Sequence, residues 1–416
     1  MRTATTTGGF VTHLEAAIDG TRLEAGVVQT MHGGRPLWVR YDLDAVRRAV
    51  SRGDLFTRPH TMWRYRELLP LRSPANIVSL GETMTPLLEC PRLGARLGLK
   101  RLLIKDESRL PTGSFKARGM AMAISMAKEL GITRVAAPTA GNAGGAMAAY
   151  AARAGMEAYV FMPRDTPMVN RYEAALYGAK AWLIDGLIND CGRIVGQGKE
   201  AMGWFDLSTL MEPYRIEGKK TMGLELAEQM GWRLPGAIMY PTGGGTGLIG
   251  MWKAFEELRA LGWLEDDASG GGGPRMYSCQ SSGCAPIVEA FEKGERFATA
   301  PSNAHTIASG LRVPVAVGDF MILDAVRASG GKAIAAEEGR LVEWMGEACA
   351  LEGIAVCPET AACLDVLEGA VKSGEIDPEE TVVVFNTGAA QKYVEAMEVE
   401  LPVLDHATAI DWEALR

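Results

Sequence analysis

The amino-acid sequence predicts an α/β fold with two lobes, in which twisted parallel sheets are flanked by helices. Short apolar segments typical of strands alternate with helical segments, and this alternation indicates βαβ units. Loops rich in small residues follow three of the predicted strands. The chain has 416 residues, which is too long for one compact core, so two or three domains are expected.

The first run of alternating elements begins after an N-terminal part, residues 1–75, that shows no regular pattern. Strands are predicted at 101–105, 134–138, 157–162 and 180–185. Helices are predicted at 114–130, 143–153 and 168–177. Ser114 is the predicted N-cap of the first of these helices, and Gly131 is predicted to end it.

The second run follows a middle section that also lacks a clear pattern. Strands are predicted at 237–241, 276–280 and 381–385, with a helix at 248–261. The segment 265–274 contains four consecutive glycines and is predicted to be a flexible loop. Because ligands of such folds bind at the carboxyl ends of the strands, the loops that follow these strands are the expected sites.

Composition and charge argue against several classes of protein. The net charge of −8, with no basic run, is unlike that of a nucleic-acid-binding protein. No stretch approaches the ~20 apolar residues of a membrane span, and the N-terminus does not resemble a signal peptide. The seven cysteines include no Cys-x-x-Cys pair and the five histidines are scattered. We therefore expect free thiols, no bound metal and a cytoplasmic location.

The first loop with a chemical signal spans 111–116 and ends on Lys116, at the start of a predicted helix. The positive end of the helix dipole disfavours a cation there. The same field favours the uncharged amine that a Schiff base requires. An exposed surface lysine is the alternative, and position alone does not separate the two.

The second loop spans 138–145 and reads Pro-Thr-Ala-Gly-Asn-Ala-Gly-Gly. Small residues let the backbone approach a ligand closely, and free N–H groups at a helix start bind an anion such as a carboxylate. The Asn142 amide offers both a donor and an acceptor to a ligand hydroxyl. A tight strand–helix turn with a structural role is the alternative.

The third loop spans 241–247 and reads Pro-Thr-Gly-Gly-Gly-Thr-Gly before a helix. Backbone N–H groups and threonine hydroxyls in such a loop form a cup for a phosphate. Gly245, Gly247 and Gly250 also match the spacing of the dinucleotide fingerprint, which would indicate a nucleotide-binding oxidoreductase. That fingerprint needs an acidic residue at the end of the next strand, and 279–282 contains none, so a monophosphate cup fits better.

In this order, the loops resemble pyridoxal 5'-phosphate (PLP) enzymes of fold type II, the tryptophan synthase β-like family, and its threonine synthase branch in particular. The likeness extends from Ser79 to Tyr393 and includes the segments 80–87, 214–221, 358–362 and 387–393. The resemblance implies a large PLP-binding domain formed by 76–118 and 223–400, a small domain at 119–222, and a C-terminal tail at 401–416.

The resemblance also implies roles for individual residues. Lys116 would carry PLP as a Schiff base, with Phe115 packed beside the cofactor. Asn142 would bind the PLP 3'-oxygen, and Thr387 would place a hydroxyl against the pyridine nitrogen. The PLP phosphate would lie in a cup formed by Gly243, Gly244, Gly245, Thr246 and Gly247. The substrate would contact Ser114, Thr139, Ala140, Gly141, Ala143 and Arg215.

The chemistry implied is elimination or replacement on a small amino acid. A hydroxyl at the pyridine nitrogen leaves that nitrogen largely unprotonated, which favours elimination at the β- or γ-carbon over transamination. The substrate displaces Lys116 from PLP, and the released amine removes the α-proton before a leaving group departs. The expected partners are this amino acid and a second copy of the chain, since relatives are commonly dimers.

The sequence departs from threonine synthases at positions expected to bind a substrate phosphate. Ala117 replaces an aspartate after the lysine, which is more similar to threonine and serine dehydratases. Leu210 cannot donate a hydrogen bond through its side chain. A Glu212 carboxylate within ~4 Å of a phosphate would repel it by a few kcal/mol at an effective dielectric of ~20. Cys357, in turn, replaces a carboxylate that dehydratases often have. The leaving group therefore need not be phosphate, although Arg215 and Lys219 remain.

The N-terminal segments 13–20 and 33–43 resemble the zinc ribbon at the start of long threonine synthases. The cysteine positions of that ribbon hold other residues, including Ala16 and Asp19. We therefore predict that 1–75 forms a ribbon-like extension without metal.

Several functions remain open at this stage. The leading hypothesis is a threonine synthase-like lyase that acts on a hydroxy- or otherwise substituted small amino acid. The alternatives are threonine synthase itself, acting on O-phosphohomoserine, a threonine or serine dehydratase, and a PLP-binding protein without catalytic activity.

Overall fold

The computed structural model describes residues 9–265, 273–397, 401–404 and 412–413. Its strands are β1 Val11–Ala16, β2 Arg22–Leu23, β3 Leu37–Tyr41, β4 Leu87–Glu89, β5 Arg101–Asp106, β6 Arg134–Pro138, β7 Glu157–Pro163, β8 Lys180–Ile184, β9 Phe205–Asp206, β10 Ala237–Pro241, β11 Arg275–Ser281, β12 Ala333–Ala336 and β13 Thr381–Asn386. Its helices are α1 Leu43–Ala49, α2 Arg52–Leu55, α3 Pro91–Leu97, α4 Lys116–Glu129, α5 Asn142–Ala154, α6 Met168–Leu176, α7 Ile188–Met202, α8 Tyr214–Gln229, α9 Thr246–Ala260, α10 Pro286–Glu292, α11 Asp319–Ala328, α12 Leu341–Glu352 and α13 Pro358–Lys372.

The larger sheet has the strand order β12-β11-β10-β13-β5-β4, and all neighbours are parallel except β4 and β5. Alternate residues of β10 enter opposite cores, because side chains of a strand point to opposite faces. Met239 packs with Trp344 of α12 and Leu364 of α13, whereas Ile238 packs with Phe255 of α9. Both faces are covered by helices, which explains the continuous apolar strands.

The smaller sheet has the order β8-β7-β6-β9, with every pair parallel. One face packs against α4 and α5, through residues such as Val160 and Met147. Phe161, on the opposite face of β7, packs with Trp204 and with Cys191 of α7. The predicted α/β class with sheets flanked by helices is therefore confirmed, and the antiparallel strand β4 makes the larger sheet mixed.

The N-terminal part contains a small antiparallel sheet with the order β2-β1-β3. The Tyr41 hydroxyl at the end of β3 donates to Glu217 Oε2 at 2.6 Å and so ties this sheet to α8. Within the described residues, no group of three or more His, Cys, Asp or Glu side chains could hold a metal ion. The description of 1–75 as irregular was wrong for this sheet, and the domain boundaries stay predictions.

The predicted strands agree with β5, β6, β7, β8, β10, β11 and β13 to within one residue at each end. The middle section was wrongly predicted to be irregular, since it contains α7 and α8. Most of the predicted flexible loop, at 266–272, lies outside the described residues. Among the helices of the described residues, none is long and apolar enough to cross a membrane.

Ser114 is not the N-cap of α4; Phe115 is, and no side chain caps this helix. Ser114 keeps an extended backbone because it pairs with Gly388, and the Phe115 N–H donates to the Thr387 carbonyl at 3.0 Å. Pairing with the segment after β13 thus moves the N-cap by one residue, so that Lys116 becomes the first residue of the helix.

Candidate functional site

Strands β5, β10 and β13 are neighbours in the larger sheet, so the loops that follow them meet at one edge. The loop after β6 of the smaller sheet faces the same place, since Asn142 Nδ2 donates to Tyr393 Oη at 3.0 Å. These loops enclose a narrow cavity lined by all the predicted cofactor residues: Phe115, Lys116, Asn142, Gly243, Gly244, Gly245, Thr246, Gly247 and Thr387. The structure therefore brings the three predicted loops together.

The Lys116 side chain opens onto this cavity, with Nζ 4.1 Å from the centroid of the Phe115 ring. Desolvation among the surrounding protein atoms, with a further contribution from the Arg215 charge, lowers the pKa of Lys116 to about 7, while Glu359 opposes the shift. An amine with this pKa is substantially uncharged near neutral pH and is competent as a nucleophile. The helix dipole is not required to lower the pKa of Lys116.

The glycine loop 243–245 has no space for side chains. A Cβ atom on Gly243 would lie 2.2 Å from the Gly310 carbonyl oxygen, and one on Gly244 would lie 2.7 Å from Thr209 Cγ2. Gly245 has φ of +74°, a conformation that favours glycine, and α9 begins at the next residue. A small cradle at a helix N-terminus suits a phosphate group.

Three polar atoms of residues that line the cavity lack partners among the described residues: Asn142 Oδ1, Tyr240 Oη and Glu359 Oε2. The other Glu359 oxygen accepts from the Gly310 N–H at 2.8 Å. Thr387 is 4% exposed, and its Oγ1 lies 3.7 Å from Cys357 Sγ. Unpartnered buried polar atoms beside an amine and a phosphate cradle fit a flat, polar, phosphorylated ring.

A larger cavity of about 380 Å³ adjoins the first and shares Lys116, Asn142 and Gly244 with it. The predicted substrate residues Thr139, Ala140, Gly141 and Ala143 line one side. Another part of its wall is apolar and includes Met211, Val313, Val315, Ala316 and Val317. This cavity has the size and position of a small substrate's site.

The Thr139 hydroxyl shapes the loop on the substrate side. It donates to the Gly141 carbonyl at 2.7 Å and accepts from the N–H groups of Gly141 and Gly144. These groups are therefore occupied within the loop. Apart from Gly144, the first-turn N–H groups of α5, such as those of Asn142 and Ala143, have no acceptor inside the helix and remain to bind an anion.

Ser114 and Arg215, two predicted substrate residues, do not line either cavity. The Ser114 side chain is buried, and Arg215 Nη1 donates to the Leu207 carbonyl at 2.7 Å. Leu210 and Glu212 do not line either cavity. Leu210 packs in the core, and Glu212 caps α8 by accepting from the Tyr214 N–H at 2.6 Å.

Three features of the site were not predicted from the sequence. Glu359 and Tyr393 lie in the segments 358–362 and 387–393, for which no role was predicted for these two side chains. The signal that could have identified them is the acidic and the phenolic side chain within the family's motifs. The wall 309–317 carries no motif and could not have been found. Arg312 in that wall pairs with Asp165, with both Nη atoms 2.7 Å from carboxylate oxygens.

Comparisons with known proteins agree with this geometry. Residues 78–388 match the family model described as "Pyridoxal-phosphate dependent enzyme". The chain is 34% identical to threonine synthase of Methanocaldococcus jannaschii over 88% of this chain and 89% of that protein. It is 33% identical to threonine synthase of Methanosarcina acetivorans, over 90% of this chain and 89% of that protein.

Solved structures share the fold at lower sequence identity. Threonine deaminase isoform 2 of Solanum lycopersicum, in its processed form, has a TM-score of 0.62 and 19% identity, covering 82% of this chain and 94% of that one. Diaminopropionate ammonia lyase of Escherichia coli has a TM-score of 0.64 and 20% identity, covering 79% of this chain and 92% of that one.

Proposed function

The chain belongs to the pyridoxal-phosphate dependent enzyme family, and we propose that this lyase of the threonine synthase-like kind eliminates or replaces a neutral group on a small amino acid. The cofactor is PLP. A β- or γ-hydroxy amino acid that loses water is the substrate class proposed. The roles of the individual cofactor and substrate residues are part of the same proposal.

The observation that carries the proposal is the charge of the substrate cavity. Among the described residues that line it, the cations are Lys116 and Arg312. Both Nη atoms of Arg312 are bound to Asp165, and the wall beside Arg312 is apolar. A phosphate leaving group needs an available cation for charge-assisted hydrogen bonds, whereas a hydroxyl group does not.

Each part of the site has a proposed task. When bound, PLP supplies an electron sink for charge at the substrate α-carbon. Gly243–Gly247 hold its phosphate, Asn142 and Thr387 orient its ring, and Phe115 packs beside it. The start of α5 holds the substrate carboxylate. Lys116 Nζ holds the cofactor and, once released, takes the α-proton, for which its pKa of about 7 is suited.

A parallel assay tests the leaving group. Purified holoenzyme is given serine, threonine and homoserine, with release of ammonia and keto acid measured, and O-phosphohomoserine, with release of phosphate measured. We expect keto acid from at least one hydroxy amino acid. Phosphate release from O-phosphohomoserine at a higher kcat/KM would overturn the neutral leaving group, and Lys116→Ala supplies the background for both assays.

Threonine synthase proper is the second candidate. The two relatives named threonine synthase, at 34% and 33% identity over most of the chain, favour it. On this alternative, Asp165 would leave Arg312 when the substrate phosphate enters. The same parallel assay decides between the two candidates.

We also propose a homodimer in the cytoplasm. The resemblance to dimeric relatives supports the dimer, and the seven free cysteines suit a reducing compartment. Sedimentation of the holoenzyme tests the subunit count, with twice the mass of one chain expected and a single-chain mass contradicting it.

A further inference from the structure

Lys219 lies beside Lys116, and the proposed function gives it no task. It is on α8, and two glycines allow α8 to cross close to α4. A Cβ on Gly218 would lie 2.1 Å from the Arg118 carbonyl oxygen, and one on Gly119 would lie 2.9 Å from Lys219 Cε. The crossing therefore lays the Lys219 side chain against the first turn of α4.

The Lys219 amine makes two contacts there. Nζ donates a hydrogen bond to the carbonyl oxygen of Phe115, and it lies 3.8 Å from the centroid of the Phe115 ring. Lys116 Nζ contacts the same ring at 4.1 Å. The two amines share one aromatic ring, with Lys219 0% exposed and Lys116 partly exposed.

The surroundings of Lys219 disfavour a positive charge. The charged groups that face it are Lys116, Arg118, Arg215 and Glu107. Glu107 is already bound to Arg118 at 2.6 Å, and in the described part of the chain no carboxylate lies within 4 Å of Lys219 Nζ. Burial, reinforced by the neighbouring cations, holds the pKa of Lys219 well below its usual value.

We propose that Lys219 is a positioning residue that works as an uncharged amine, holding the Phe115 carbonyl and ring so that Lys116 stays aimed at the cofactor cavity. An uncharged neighbour has a second benefit. Lys116 must accept a proton during the reaction, and a full charge on Lys219 would oppose that step by like-charge repulsion.

The first experiment measures the charge of Lys219 through the pH dependence of stability. An unfolded lysine has a pKa of about 10.4. If native Lys219 is uncharged, unfolding takes up one proton between pH 7 and 9, so stability rises with pH. Lys219→Gln has no amine to take up this proton, and its other titratable groups are those of the native chain.

Denaturant unfolding of both holoenzymes is compared at pH 7, 8 and 9. We expect the ratio of their unfolding equilibrium constants to shift about tenfold per pH unit, with the native chain gaining stability as the pH rises. A ratio that does not change with pH shows that Lys219 is charged and overturns the proposal.

The second experiment tests the positioning role by comparing two uncharged variants. Lys219→Gln keeps a donor for the Phe115 carbonyl, whereas Lys219→Met fills similar space without one. PLP affinity and the absorbance of the bound cofactor are measured. We expect Lys219→Gln to bind PLP within about threefold of the native chain and Lys219→Met to bind at least tenfold more weakly, a loss of about 1.4 kcal/mol. Equal affinity for both variants contradicts the role.

The comparison of PLP affinities rests on the proposed role of Lys116. The pH dependence of stability does not. If Lys116 were not the cofactor lysine, Lys116→Ala would retain bound PLP while the pH shift caused by Lys219 persisted. The two failures are therefore distinguishable.

Discussion

At the scale of single residues, the local environment of Lys116 decides its chemistry. Judged from its position in the sequence alone, Lys116 could equally have been an exposed surface lysine. The structure puts the amine among protein atoms beside Arg215, and the resulting pKa of about 7 distinguishes it from an ordinary surface lysine. Neither the depth of the cavity nor the proximity of Arg215, nearly a hundred residues along the chain, could be derived from the sequence.

The pKa of Lys116 predicts the pH dependence of cofactor capture. Only the uncharged amine attacks the PLP aldehyde, so the capture rate of the cofactor-free chain should rise with pH and level off above about pH 8. Stopped-flow absorbance measures this rate. A rate that keeps rising to pH 10 would indicate an unperturbed lysine, and Lys116→Ala gives the signal from other amines.

At the scale of elements, apolar strands were predictable and the charged helix α8 was not. Strands covered on both faces are continuous apolar segments, so the sequence defines them well. Helix α8 has many charged residues and was missed because it looks polar, yet it is buried. Its Glu217 and Glu225 pair with Lys253 of α9 and Arg118 of α4, partners that only the folded chain shows.

The glycine cup gives a prediction for one element. Gly243→Ala puts a Cβ 2.2 Å from the Gly310 carbonyl oxygen, which forces the cup or the 309–313 segment to move. We expect PLP affinity to fall at least tenfold, about 1.4 kcal/mol, in a fluorescence titration.

A matched control for this variant is Gly346→Ala, in α12, where a Cβ meets no atom within 4 Å. This change should leave PLP affinity unaltered and stabilise the helix by about 0.5–1 kcal/mol. Unchanged affinity in Gly243→Ala, with the control behaving as expected, would show that the loop is not the phosphate site.

At the scale of the whole molecule, the site depends on segments that are far apart in the sequence. The loop before α6 reaches the wall 309–317 through the Asp165–Arg312 pair, whose members are 147 positions apart. The three glycine- and lysine-bearing loops were predictable because each follows a strand. The apolar wall was not, since no local pattern indicates that it faces them.

The Asp165–Arg312 pair gives a prediction about substrate charge. Asp165→Asn releases Arg312 and leaves a cation in the substrate cavity, so inorganic phosphate should inhibit the variant about tenfold more strongly. Stability should change by less than about 1 kcal/mol, because Asp165 is largely exposed.

Inhibition constants measured at fixed ionic strength test this expectation. The control is Asp324→Asn, on α11 and outside the substrate cavity. This change breaks the exposed pair of Asp324 with Arg296 and should leave phosphate inhibition unchanged. Equal inhibition of the native chain and Asp165→Asn would mean that Arg312 does not govern the charge of the cavity.

The central claim is that Lys116 holds the cofactor covalently, and borohydride reduction followed by peptide mapping tests it most directly. Reduction fixes PLP to the lysine that carries it, and mass spectrometry of the digested holoenzyme locates the added mass. We predict a single labelled peptide, modified at Lys116. Label on Lys219 or on any other lysine would contradict this account.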